Sequence, residues 1–179
     1  MTLLSSDSAF SGRVFSITRD RVQLPHGPEV TMDVVRHPGS VVLLPLAADD
    51  SLTLVRQYRH AAGQAMWEIP AGTIDDGETP EAAARRECHE EVGLWPDGAE
   101  LLASLYPSPG YTTEVMHFYR LTGLREPDSP ATPDAEEHLQ IRTITLDALG
   151  SLIAAGEVVD MKTVVGWQLL TMRSKGQNR

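Results

Sequence analysis

The stretch from Gly72 to Leu94, GTIDDGETPEAAARRECHEEVGL, constrains this chain more than any other. Thr79 before Pro80 reads as a helix start: a side-chain oxygen caps the first turn, and the N–H that proline lacks is unpaired there anyway. The helix runs on through Glu81 to Glu87, with Gly93 as the expected residue past its end and Pro96 soon after. On it Glu87, Glu90 and Glu91 stand at i, i+3 and i+4, so they share about 100° of one face. Carboxylates that close repel one another by a few tenths of a kcal/mol per pair. Two arrangements offset this. The face is either solvated and ion-paired, with Arg85 and with Arg86 four residues before Glu90, or it binds a hard cation such as Mg²⁺ or Mn²⁺ through oxygen ligands. On an adjacent arc Ala84, Cys88 and Val92 form an apolar stripe that docks the helix on a sheet while the carboxylates face a cleft.

Charge bears on that choice. Asp+Glu number 25 against 15 Lys+Arg, a formal net charge of −10. A chain this acidic argues against a general nucleic-acid binder, which neutralises phosphates with a basic face. It handles an acidic substrate only through bound cations. Nothing in the sequence reaches the roughly 18 apolar residues of a membrane span, and Met1 to Phe10 shows neither the basic nor the long apolar part of a secretory signal. A single cysteine, Cys88, forms no internal disulfide and fits a reducing cytoplasm. With 179 residues and 41% hydrophobic content, the chain is long enough for one compact core.

Alternation and β-branched content predict strands at Val14–Arg19, Val30–Val35, Val41–Leu46, Leu52–Tyr58 and Met66–Ile69, then Glu100–Leu105, Val115–Leu121 and Ile141–Ile144. Helices are expected at Leu146–Ala155 and Met161–Arg173, with a frayed tail. The order lacks a clean βαβ rhythm, which implies an α+β layered fold with a mixed sheet. Residues 1–38 read as an N-terminal accessory β region, and 39–179 as the main domain.

The spacing of the fixed residues carries more. Gly72, Glu78, Arg86-Glu87, Cys88, Glu90-Glu91, Gly93 and Leu94 match GX5EX7REUXEEXGU at every fixed position, and the segment resembles the Nudix box. Average residue usage puts a chance match at about one in a million. Cys88 stands where that family usually has an aliphatic residue and reads as core. The resemblance implies an α/β/α sandwich and metal-dependent hydrolysis. It casts Glu87 and Glu91 as principal metal ligands, Glu90 as a third carboxylate, and the Ala71 backbone carbonyl as a further ligand. Arg86 and Glu78 become the pair that orients them.

Outside the box, VRQYRH at 55–60, WEIPAG at 67–72 and SPGYTTE at 108–114 look like the ADP-ribose pyrophosphatase branch, as does Pro109, 15 residues after Leu94. The resemblance implies cleavage of ADP-ribose, or a related nucleoside diphosphate sugar, to AMP and ribose 5-phosphate by a homodimer whose N-terminal β regions help complete each site. Arg59 is then a pyrophosphate contact, since its fork suits two phosphate oxygens. Glu68 is a substrate contact or a support of the metal site. Pro109, Gly110 and Glu114 shape the terminal-ribose pocket, although the branch has Ser-Asp-Glu or Thr-Asp-Glu where this chain has Thr112-Thr113-Glu114. The general base is expected on the loop Asp134 to His138, at Glu137 first and Glu136 next. Other Nudix substrates, such as GDP-mannose, dinucleoside polyphosphates or nucleoside triphosphates, remain alternatives. A non-catalytic ligand-sensing module is disfavoured, because all three carboxylates are present and no basic segment accompanies them.

Overall fold

A computed structural model describes residues 1–129 and 139–176, with side chains described through residue 172. Its centre is β4 (Ser40–Pro45), whose 6 residues are all buried. A strand covered on both faces needs a continuous apolar run, and Val41 to Leu44 supplies it. Val42 and Leu44 point into one core with Leu54, Ile69, Phe118 and Leu149. Val41 and Leu43 point into a second with Ala83, Ala84, Cys88, Tyr119 and Leu121.

The chain forms three sheets, two of which supply these cores. In the four-stranded sheet β4 pairs in parallel with β9 (Met116–Arg125) and antiparallel with β7 (Ala71–Thr73), while β8 (Trp95–Leu105) closes the edge beside β9. A second sheet sets β5 (Leu52–Arg59) between β6 (Gln64–Glu68) and β10 (Gln140–Ile144), all antiparallel. The N-terminal β1 (Thr2–Ser11), β2 (Ser16–Gln23) and β3 (Glu29–Arg36) form an antiparallel meander. Val35 ties it to the loop before β9: its N–H donates to the Tyr111 carbonyl at 2.8 Å and its carbonyl accepts from Thr113 N–H at 2.9 Å.

Helix α1 (Pro80–Glu87) covers one face of the central sheet; α2 (Leu146–Ala154) and α3 (Met161–Gly176) pack on the opposite side. Gly166 lets α3 lie close, since a Cβ there would stand 2.7 Å from Ile69 and 2.8 Å from Leu44. This is the expected α/β/α sandwich around a mixed sheet.

The structure differs from the sequence expectations chiefly in five places. The strand expected at Val14–Arg19 is β2, Ser16–Gln23, with Val14 in the turn before it. β1 was not expected; its residues are exposed except one, so no burial alternation marks it, and backbone pairing to β2 holds it. β7 is only 3 residues long and lies inside the glycine-bearing turn before the helix. β8 starts five residues early, at Trp95, and contains Pro96, tolerated because this is an edge strand. The acidic helix is α-helical only to Glu87; Cys88–Val92 is a π-helical turn, ended by Gly93 in the left-handed region at φ 75°.

Candidate active site

The acidic segment delivers its carboxylates through a fixed sequence of local choices. Thr79 caps α1 by accepting from Ala82 N–H at 3.2 Å, and Pro80 opens the first turn. Ala83, Ala84, Cys88 and Val92 then bury against the sheet and orient the helix. The π-helical turn carries Glu90 and Glu91 on the same side as Glu87, a departure from α geometry that is frequent at functional sites.

Arg86 organises the carboxylates. Its Nε donates to Glu78 Oε1 at 3.1 Å and Nη2 to Glu78 Oε2 at 2.9 Å, a bidentate grip. Nη2 also donates to the Thr73 carbonyl at 3.0 Å. Nη1 donates to Glu87 at 2.7 Å and to Glu90 at 2.9 Å. These bonds, with Glu78 the largest contributor, raise the arginine's pKa further, and the same pair holds the Glu78 carboxyl below its ordinary value. The expected Arg86–Glu90 pair is present, but as one spoke of a hub.

Gly72 is required by close approach. A Cβ at this position would fall 1.9 Å from Glu87 Cδ and about as near its two oxygens. Glu91 is 7% exposed, and its Oε2 accepts from Ala71 N–H at 3.1 Å. Ala71 thus sits beside the carboxylates through β7, which pairs with β4. Three carboxylates and a neighbouring backbone carbonyl make an all-oxygen donor set, the chemistry that suits a hard divalent cation. Among the described residues no three Asp, Glu, His or Cys side chains converge on one point, because Glu87 and Glu90 are turned to Arg86. The set fits such an ion by donor type and by its grouping on one wall, where Gly72 lets the Glu87 carboxylate lie against the backbone. Cys88, behind this wall, is fully buried; burial, with the Glu91 charge adding to it, pushes its thiol up to about 12. It is inert core, not a nucleophile.

The cleft in front of this wall has a volume of about 890 Å³ and is also lined by Arg59, Arg13, Val14, Pro38, Asp75 and Asp76. Arg59 ends β5. Its Nε and Nη2 each donate to a Glu68 oxygen at 2.8 Å, and this raises its pKa. Glu68 is 1% exposed, and one of its oxygens also accepts from Lys162 Nζ. Burial pushes this carboxyl up, but Arg59 and Lys162 outweigh it and hold it below the ordinary range. Glu68 therefore lies beneath Arg59 with both oxygens engaged and does not line the cleft.

The other expected residues are more dispersed. Pro109 and Gly110 are exposed on the turn where Ser108 accepts from Tyr111 and Thr112 N–H groups at 3.2 Å. Glu114 accepts from Ser40 Oγ at 2.8 Å. None of these three is on the cleft wall. Glu136 and Glu137 lie outside the described residues.

Sequence reasoning missed Arg13, Val14 and Lys162. Arg13 and Val14 come from the β1–β2 turn, and no local pattern ties them to a cleft built from the central sheet. Lys162 left one signal: it is one of only two lysines, set in the apolar run MKTVVGW.

This geometry has counterparts. Residues 35–165 match the NUDIX domain model. The chain is 34% identical to a methanol dehydrogenase activator of Bacillus methanolicus over 95% of this chain and 92% of that one. It is also 34% identical to an ADP-ribose pyrophosphatase of Mycobacterium tuberculosis over 91% of this chain and 79% of that one. A crystal structure of an ADP compounds hydrolase superposes with a TM-score of 0.84 at 23% identity, covering 99% and 96% of the two chains, a likeness of fold. With the box intact on the cleft wall and a domain match over most of its length, the chain belongs to the Nudix family.

Proposed function

We propose that this chain is a pyrophosphohydrolase that cleaves ADP-ribose, or a related nucleoside diphosphate sugar, to AMP and ribose 5-phosphate. The observation that carries this reading is one cleft in which Glu87, Glu90 and Glu91 face the same space as Arg13, Arg59 and Arg86. A diphosphate bridge is anionic at both phosphoryl groups, and guanidinium forks beside a cation-binding carboxylate set are what such a bridge requires. The resemblance to ADP-ribose pyrophosphatases supports the substrate class.

Nudix enzymes generally use divalent metals; here Glu87, Glu91 and the Ala71 carbonyl would hold Mg²⁺ or Mn²⁺, with Glu90 as third carboxylate. Such an ion, when bound, offsets phosphate charge and lowers the pKa of water. The chain's own groups do the rest. Arg86, braced by Glu78, orients Glu87 and Glu90. Arg59 binds the pyrophosphate. Glu137, or Glu136 beside it, takes the proton of the attacking water; both lie outside the described residues. Pro109, Gly110 and Glu114 shape the terminal-ribose end, with Glu114 tied to Ser40, two residues beyond Pro38 on the cleft wall. Residues 1–38 act as the dimerising β region and 39–179 as the hydrolase domain of a cytoplasmic homodimer. No helix among the described residues is long and apolar enough to cross a membrane.

Thr113 departs from the branch's acidic residue between Thr112 and Glu114, and this favours a second reading in which the substrate is another nucleoside diphosphate derivative, such as GDP-mannose, a dinucleoside polyphosphate or a nucleoside triphosphate. A hydrolysis panel of ADP-ribose, ADP-glucose, GDP-mannose, diadenosine polyphosphates and dGTP separates the two. AMP plus ribose 5-phosphate as the preferred products supports the first; preference for GDP-mannose, a diadenosine polyphosphate or dGTP supports the second. Labelling with ¹⁸O-water then identifies the phosphorus attacked.

A further inference from the structure

The cleft arginine is not held by its own strand alone. Arg59 is gripped side-on by Glu68, through Nε and Nη2, so Nη1 is the nitrogen that this carboxylate does not engage. Behind Glu68 lies the start of α3. Lys162, whose side chain is 9% exposed, donates to Glu68 and pairs with Asp160 at 3.0 Å. Asp160 caps α3: its Oδ2 accepts from Thr163 N–H at 2.9 Å and Oγ1 at 2.6 Å. The Thr163 hydroxyl in turn accepts from Ile69 N–H at 2.9 Å, the peptide next to Glu68. Arg59, Glu68, Lys162 and Asp160 thus form an alternating row of charges, two positive and two negative, running from the cleft into the interior.

We propose that Lys162 is a positioning residue for Arg59. By sharing Glu68, it fixes the plane of the carboxylate and hence the guanidinium that meets the diphosphate. The physical reason lies in competition at one carboxylate. With Lys162 in place, Glu68 is held from both sides, and Arg59 sits at the one geometry that satisfies both cations. Without it, the carboxylate is tethered on the cleft side only, and Asp160 loses a partner in the interior. The guanidinium then settles elsewhere, and a misplacement on the scale of an ångström costs a large factor at a reacting centre. Thr163 restrains the same point from the backbone by fixing the peptide after Glu68. This inference rests on the proposed reading in assigning the diphosphate to Arg59.

A double-mutant cycle tests it. Binding of α,β-methylene ADP-ribose with Mg²⁺ is measured by calorimetry for wild type, Lys162→Met, Arg59→Ala and the double variant, with thermal melts to verify folding. Lys162→Met should weaken binding about tenfold or more in the wild-type background. In the Arg59→Ala background it should change binding by less than about twofold, because the lysine acts through the arginine. An equal loss in both backgrounds, or none in the first, would overturn the proposal. If Lys162→Met does not fold, Lys162→Gln, which keeps an amide donor, carries the same cycle. Failure of both to fold assigns the lysine to stability and also overturns it. Ligand-independent NMR separates this from failure of the functional reading. The Arg59 Nε–H resonance, assigned by its loss in Arg59→Ala, should shift or broaden in Lys162→Met even if wild type binds no nucleotide. An unmoved resonance would sink the brace whatever the substrate.

Discussion

Gly72 is the residue whose chemistry is most tightly dictated by the site. The Glu87 carboxylate occupies the space a methyl group would need. In Gly72→Ala the carboxylate must swing away, at a position where the backbone itself has no other reason to change. Turnover should fall by about a hundredfold, as misplacement of a reacting-centre group predicts, while circular dichroism stays unchanged. Cys88 makes the opposite point. Its buried, high-pKa thiol should resist a thiol reagent at pH 8 in the native protein and react once urea unfolds the chain. A Cys88 that reacts in the folded state would show that the helix does not dock as described. Both residues were legible beforehand, one as a fixed box glycine and the other as part of an apolar stripe. What could not be read was the reach of Arg86. Its i+4 spacing to Glu90 is visible in sequence and its pairing with Glu78 is implied by the family resemblance, but its bond to the Thr73 carbonyl depends on how the loop before the helix folds back.

Elements with local signals were the legible ones. Helix α1 carries its own start: Thr79 as cap, Pro80 in the first turn. Thr79→Ala should cost about 1 kcal/mol in urea unfolding, the usual loss for an N-cap. The buried strand β4 and the first half of β5 declare themselves by apolar content, because burial on both faces demands it. β1 gives no such sign, since pairing along its backbone is indifferent to side chains that remain in solvent. The π-helical turn is equally silent: Glu90-Glu91 reads as α-helix from spacing alone, and only the packing of Cys88 and Val92 against the sheet, followed by the left-handed Gly93, shows where the ladder widens.

For the whole molecule, ion pairs between distant segments couple site and stability. Burial opposes ionisation of Glu68, but Arg59 and Lys162 outweigh it; hydrogen bonds from Arg86 lower Glu78. Both carboxyls titrate below their ordinary value of 4.5 when folded. Each therefore adds stability that is fully present above that value and is lost as pH falls through the lower folded one. Melting temperature should drop steeply below pH 4.5, and the drop should be shallower in Glu78→Gln, whose amide does not titrate. An identical slope in the variant would remove Glu78 from that balance. The site's first wall was legible because one helix holds it. Arg59 on the cleft is backed by β6 and α3, and the pairing of Glu68 with Lys162 beneath it spans 94 residues, a contact no local pattern encodes.

The acidic turn is the proposed seat of hydrolysis. Its most direct test is steady-state turnover of ADP-ribose by Glu91→Gln beside wild type, with and without EDTA and with circular dichroism of both. Chelation should abolish wild-type turnover. The variant, its spectrum unchanged, should lose more than about a hundredfold, beyond the usual effect of removing an outer partner of a ligand. Full turnover by a folded Glu91→Gln, or by wild type in excess EDTA, would contradict it.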